Sequence, residues 1–194
     1  MDAKDIIPIK PYVDGVFNVL FSGVEWERKG GDIAVDTVSL LRSKGIDAVL
    51  HIVGIRELPS YCNGFNYIVN HGFLNKNDRL SYMKYIDIFK NSHIMLLPTQ
   101  AECSATVYCE AAAFGIPTYT YATGGTENYV VNGVNGYALH SSKQAVDFSN
   151  QIYNDVIQNQ MAELHEGALR LYSEKLSWPA WAKNFKCIID QQFK

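Results

Sequence analysis

Apolar runs of strand length alternate with segments of helical period from Val16 to Tyr121, and few architectures accommodate that order. Val16–Phe21, Ala48–Val53, Tyr67–Asn70, His93–Leu97 and Thr118–Tyr121 read as strands. Gly31–Lys44 carries Ile33, Val35, Val38, Leu40 and Leu41 at near-helical spacing and stops at Gly45. Asp78–Asn91 is the next helix, with Leu80, Met83, Ile86 and Phe89 on one face, and Thr106–Phe114 follows with alanine at 111, 112 and 113. Residues 54–65 hold Pro, Gly, Asn and Ser and read as loop. The alternation predicts an α/β fold, a Rossmann-like doubly wound parallel sheet with right-handed crossovers. After Ser141 extra C-terminal helices are expected, within 142–159 and 160–174, then a Trp178-Pro179 break and a last helix to Gln191.

In the strand order 3-2-1-4-5-6, strands one and four meet at a switch point, and ligands bind beyond their carboxyl ends. The loops there are 23–30 and 98–105. The first, GVEWERKG, supplies Gly23, Arg28 and Lys29 before Gly30 and Gly31 open a helix. The second leads into Glu102, Cys103, Ser104, Ala105 and Thr106. Glu110 follows Glu102 with seven residues between, so one carboxylate lies at a strand end and the other one to two helical turns deeper. Between them stands a helix N-terminus with free N–H groups, a seat for phosphate. A lone loop lysine is ordinarily a solvated cation, a carboxylate before a helix is ordinarily a cap, and a helix glutamate is ordinarily on the surface. The switch-point position, the glutamate spacing and the Cys109–Ala112 surroundings of Glu110 favour ligand binding instead.

The Glu-x7-Glu pair, the run EAAAFGIP, the pair Gly124-Gly125 and the tail NGVNGYAL together resemble the nucleotide-sugar site of glycosyltransferase family 4, retaining enzymes of GT-B fold. VLFSGVEWERKGGDIAVD resembles the family's phosphate-binding strand, loop and helix, and LSWPAWAKNF its closing helix. The resemblance implies the C-terminal half of a GT-B fold, with 1–15 a lead-in, 16–175 the nucleotide-sugar-binding domain and 176–194 the closing helix. It assigns Glu102 to the transferred sugar, Glu110 to the ribose hydroxyls and Lys29 to the diphosphate. Cys103, Ser104, Ala105 and Thr106 would offer backbone donors, and Gly72, Phe73 and Leu74 would approach the base, core packing being the other role open to Phe73. Gly124 and Gly125 would admit sugar or phosphate, or form a plain turn. Two departures stand out. Val24 replaces the family's arginine, leaving Arg28 as a substitute cation, and Asn128, beside Glu127, replaces its glutamate.

Composition narrows the partners. The chain has 194 residues, 47% of them apolar, and a net charge of -3 without a basic cluster, which gives nucleic acid no footprint. Four cysteines show no C-x-x-C pair or zinc spacing, five histidines show no ligand spacing, and no Asp-x-Asp occurs. The implied reaction needs no metal or other cofactor, since the nucleotide-diphospho-sugar is the substrate. Its other partners would be the N-terminal GT-B domain, not matched in this chain, and a saccharide or lipid-linked acceptor. The N-terminus lacks a signal peptide's pattern, so a cytoplasmic site is expected, compatible with peripheral contact at the inner face of the membrane. A sugar-nucleotide epimerase of the same architecture and a non-enzymatic nucleotide-binding module are the alternatives. Products formed from donor alone would identify the first, and inactivity after adding the missing half would identify the second.

Overall fold

The computed structural model describes residues 6–104, 106–140 and 144–192. Six strands form one sheet: β1 Phe17–Ser22, β2 Ala48–Val53, β3 Ile68–Asn70, β4 Ile94–Leu97, β5 Thr118–Tyr121 and β6 Gly136–Leu139. Their order is β3-β2-β1-β4-β5-β6 and every pairing is parallel. The helices are α1 Trp26–Lys29, α2 Gly31–Ser43, α3 Arg79–Lys90, α4 Thr106–Phe114, α5 Ala145–Ile157, α6 Met161–Leu171 and α7 Trp178–Gln192. The expected doubly wound sheet is present, and β1 and β4 are neighbours at its centre.

Local chemistry explains the element ends. Asp78 caps α3 by accepting from the Ser81 amide at 2.8 Å. Gly45 (φ 91°) and Gly115 (φ 76°) turn the chain out of α2 and α4 in the left-handed region. Ile46 N–H then returns to Leu41 O, and Ile116 N–H to Ala111 O. The strands β4 and β5 are buried at every residue. Ala111, Ala112 and Ala113 are buried too, and their small side chains let α4 lie close to its neighbours. In the helical layers, α2 packs with α5, while α4 touches both α3 and α6.

The sixth place in the strand order, for which the sequence reading offers no segment, is taken by β6, Gly136–Leu139. Two expectations are corrected. On α3, Ile86 and Phe89 are buried with Tyr85 and Ile88, whereas Leu80 and Met83 are 77% and 57% exposed, so the buried stripe is rotated. Pro179 does not break a helix. It stands in the first turn of α7, where its missing N–H is harmless, and Ser177 Oγ accepts from the Ala180 amide. The interruption lies earlier, in a π turn at Tyr172–Leu176.

A polar chain crosses the β3–β1 side of the sheet. Asn18 Nδ2 donates to Asn91 O, which leaves Asn18 Oδ1 to accept from His51 Nε2 at 3.2 Å. His51 Nδ1 then accepts from His71 Nε2 at 3.0 Å. This arrangement needs a neutral His51, which donates from Nε2 and accepts at Nδ1. Burial, then His51 and Lys84, press the His71 pKa down from 6.5 to about 4. Unfolded chains thus take up a proton that the native state refuses in that window, so stability should be whole above it and fall as pH drops through it. Thermal midpoints across the window should fall less steeply for His71→Gln, which keeps the donor without titrating. Parallel slopes would remove His71 as the cause.

Candidate functional site

Two loops are stitched together at the carboxyl ends of β1 and β4. Gln100 N–H donates to Arg28 O at 2.8 Å, and Arg28 Nη1 donates to Ala101 O at 2.9 Å. Gly30 stands at φ 76°, and a Cβ there would lie 2.2 Å from Pro98 O, so only glycine permits this approach. Gly23 leaves room for the Lys29 stem, whose Cγ would stand 2.9 Å from a Cβ at that position.

The stitched loops bring Lys29 and Glu102 together. Lys29 is 8% exposed, and its Nζ donates to Glu102 Oε2. Arg28 Nη1 stands 3.9 Å from the same oxygen, but its other donors fork onto both Glu25 carboxylate oxygens. Gly124 and Gly125 carry the Glu102 segment from behind. Gly125 N–H donates to Glu102 O, and a Cβ on Gly124 would stand 1.9 Å from that oxygen. The glycine pair therefore abuts the backbone at Glu102 and Cys103. Cys103, Ser104 and Thr106 are exposed at the start of α4, with Ser104 Oγ 2.9 Å from Tyr129 Oη. Ala105 lies outside the described residues.

Glu110 sits deeper on α4 and does not touch Lys29. Lys76 Nζ bridges its two oxygens at 2.6 and 2.9 Å, and Tyr85 Oη donates to Oε2 at 2.7 Å. Burial, then Glu110, push the Tyr85 pKa well up, so the hydroxyl stays a donor. Neither Lys76 nor Tyr85 was singled out from the sequence. Tyr85 lay off the apolar stripe read for that helix, and Lys76 offered nothing beyond a loop after β3. Nearby, Gly72 O accepts from Gly54 N–H, and Leu74 is partly buried against the core. Phe73 is 51% exposed, with the Arg56 guanidinium 5.2 Å from its ring centre, which is not a core position. A cavity of about 620 Å³ is lined by Ser104, Thr106 and Glu110 together with Trp178, Trp181 and Phe185 of α7.

Chemically the site offers one buried cation, two carboxylates at different depths and a helix start between them, which suits a ligand with a diphosphate flanked by hydroxyl-bearing rings. Lys29→Ala leaves the Glu102 carboxylate without its main partner and should lower stability by about 1–3 kcal/mol. Adding Glu102→Gln should restore part of the loss. Denaturant unfolding of the four proteins as a double-mutant cycle measures the coupling, and additive losses would mean that the pair contributes none.

Residues 3–168 match the profile of glycosyl transferases group 1. A D-inositol 3-phosphate glycosyltransferase of Arthrobacter sp. (strain FB24) is 25% identical over 154 residues, which are 73% of this chain and 35% of that protein. The chain thus spans about a third of that relative's length. The sucrose-phosphate synthase of Thermosynechococcus elongatus superposes over 100% of this chain and 51% of its own, with a TM-score of 0.74 at 18% identity. The pneumococcal O-GlcNAc transferase GtfA, solved with UDP and GlcNAc, superposes over 90% of this chain and 35% of its own, with a TM-score of 0.71 at 16% identity. The six-stranded parallel sheet at the heart of these likenesses is the Rossmann-like domain of GT-B glycosyltransferases, and the chain belongs to the glycosyl transferases group 1 family.

Proposed function

We propose that this chain is the nucleotide-sugar donor-binding domain of a retaining, metal-independent hexosyltransferase of glycosyltransferase family 4. The observation that carries the reading is the Lys29–Glu102 pair at the β1/β4 switch point, with Glu110 presented deeper, on α4. UDP is the nucleotide to test first, because GtfA was solved with it. As the bond between sugar and diphosphate breaks, negative charge collects on the departing phosphate. Lys29 passes from Glu102 to that phosphate, and the α4 N-terminus adds its positive end. Glu102, released from the lysine, accepts from a sugar hydroxyl, while Glu110 accepts from the two vicinal ribose hydroxyls. Binding energy along the nucleotide thus fixes the reacting carbon.

The acceptor side is supplied in this reading by an N-terminal GT-B domain that docks against the aromatic wall of α7. The acceptor is a saccharide or a lipid-linked saccharide, and the setting is polysaccharide synthesis in the cytoplasm, at or near the inner membrane face. Among the described residues no helix is long and apolar enough to cross a membrane.

Calorimetry with UDP and UDP-hexoses separates the roles. Binding should survive EDTA. Glu110→Gln should weaken UDP itself by about 1.5–3 kcal/mol, as a charge-assisted hydrogen bond is lost from every ligand. Glu102→Gln should spare UDP and remove the extra affinity conferred by the hexose. Lys29→Ala should weaken UDP far more than uridine. Variants that all bind like the parent would place the nucleotide elsewhere.

A further inference from the structure

Glu110 accepts from two donors that differ in how easily they can leave. Tyr85 is 3% exposed and fixed within α3. The Lys76 side chain is 43% exposed and belongs to the loop between β3 and α3. Its ammonium bridges both carboxylate oxygens and lies 4.2 Å from the Tyr85 ring centre, where the ring face adds attraction. The lone pairs that the ammonium occupies are those a vicinal diol would use, since a diol also donates to both oxygens of one carboxylate. Tyr85 takes a third position on Oε2 and does not compete.

We infer that Lys76 is a positioning residue that occupies the ribose subsite on Glu110 in the free protein and is displaced by the two hydroxyls of an incoming nucleotide. Tyr85 keeps the carboxylate aimed while the exchange occurs. The solvent-facing ammonium withdraws into water, so the exchange needs no movement of the sheet or of α4. Lys76 acts through Glu110 and sets how much of the diol contact appears as net affinity. This inference rests on the assignment of Glu110 to the ribose.

The test compares UDP with 2′,3′-dideoxy-UDP by calorimetry, using the ratio of their affinities. Any attraction between Lys76 and the diphosphate is common to both ligands and cancels. The parent ratio should exceed one, and Glu110→Gln should collapse it towards one. Lys76→Met should raise it by about two- to fivefold, the worth of a part-exposed ion pair no longer in competition. Lys76→Arg should bring it back towards the parent. A parent ratio of one, or one insensitive to Glu110→Gln, would overturn the ribose assignment and this inference with it. A ratio that responds to Glu110→Gln but stays level or falls in Lys76→Met would overturn the displacement alone. Lys76 is half-exposed, and matched circular dichroism spectra would establish that the variants fold alike.

Discussion

The Lys29–Glu102 ion pair is the contact around which the carboxyl edge of the sheet is arranged. Both groups are largely out of water. Desolvating two charges is expensive, so such a pair is a poor source of net stability and persists where charge is needed in place. Its surroundings fit that view. Gly30 allows the first loop to meet Pro98, Gly23 leaves space for the lysine stem, and Gly124 meets the Glu102 carbonyl where no side chain fits. Three separate glycines thus serve one pair of opposite charges contributed by the segments that follow β1 and β4. On the proposed reading, an entering anion finds a cation already desolvated and already aimed, and Glu102 is released by the same exchange.

Glu110 is held on a different principle. The alanines beside it are buried, so α4 sits close to its neighbours and Glu110 projects from a rigid base. Tyr85 reaches it from α3 and Lys76 from the loop before α3. One carboxylate is thus neutralised from a neighbouring loop at the switch point, and the other from a helix and a half-exposed lysine. The two can respond to different parts of one ligand, because among the described residues no hydrogen bond or ion pair links them.

The fold was legible because strand burial in a parallel sheet writes continuous apolar runs, as at Ile94–Leu97. Where that logic fails, so did the reading. Gly136–Leu139 alternates buried and half-buried residues at the sheet's edge and is opened by a glycine at φ 133°. On α3 the periodicity of Leu80 and Met83 was real, but the face that a helix buries depends on where its neighbours stand. The two glutamates stood out because their spacing maps onto one loop–helix unit, and Lys29 because it precedes the Gly30-Gly31 helix start after β1, at the switch point that the strand order defines. Lys76 was invisible because its pairing with Glu110 spans 34 residues and depends on the path of the loop between β3 and α3.

The aromatic face of α7 places a further constraint on the site. Trp181 stacks on Phe185 with centroids 5.1 Å apart, yet Trp181, Phe185 and Ile188 are each about half exposed. A contiguous apolar face of this kind favours contact with another surface over contact with water. It also lines the cavity that Glu110 borders. On the proposed reading, the domain that shields these rings is therefore the one that walls in the nucleotide. Docking and donor enclosure then become one event, and excluding water from the cleft strengthens the Lys29 and Glu110 contacts when the acceptor side is in place.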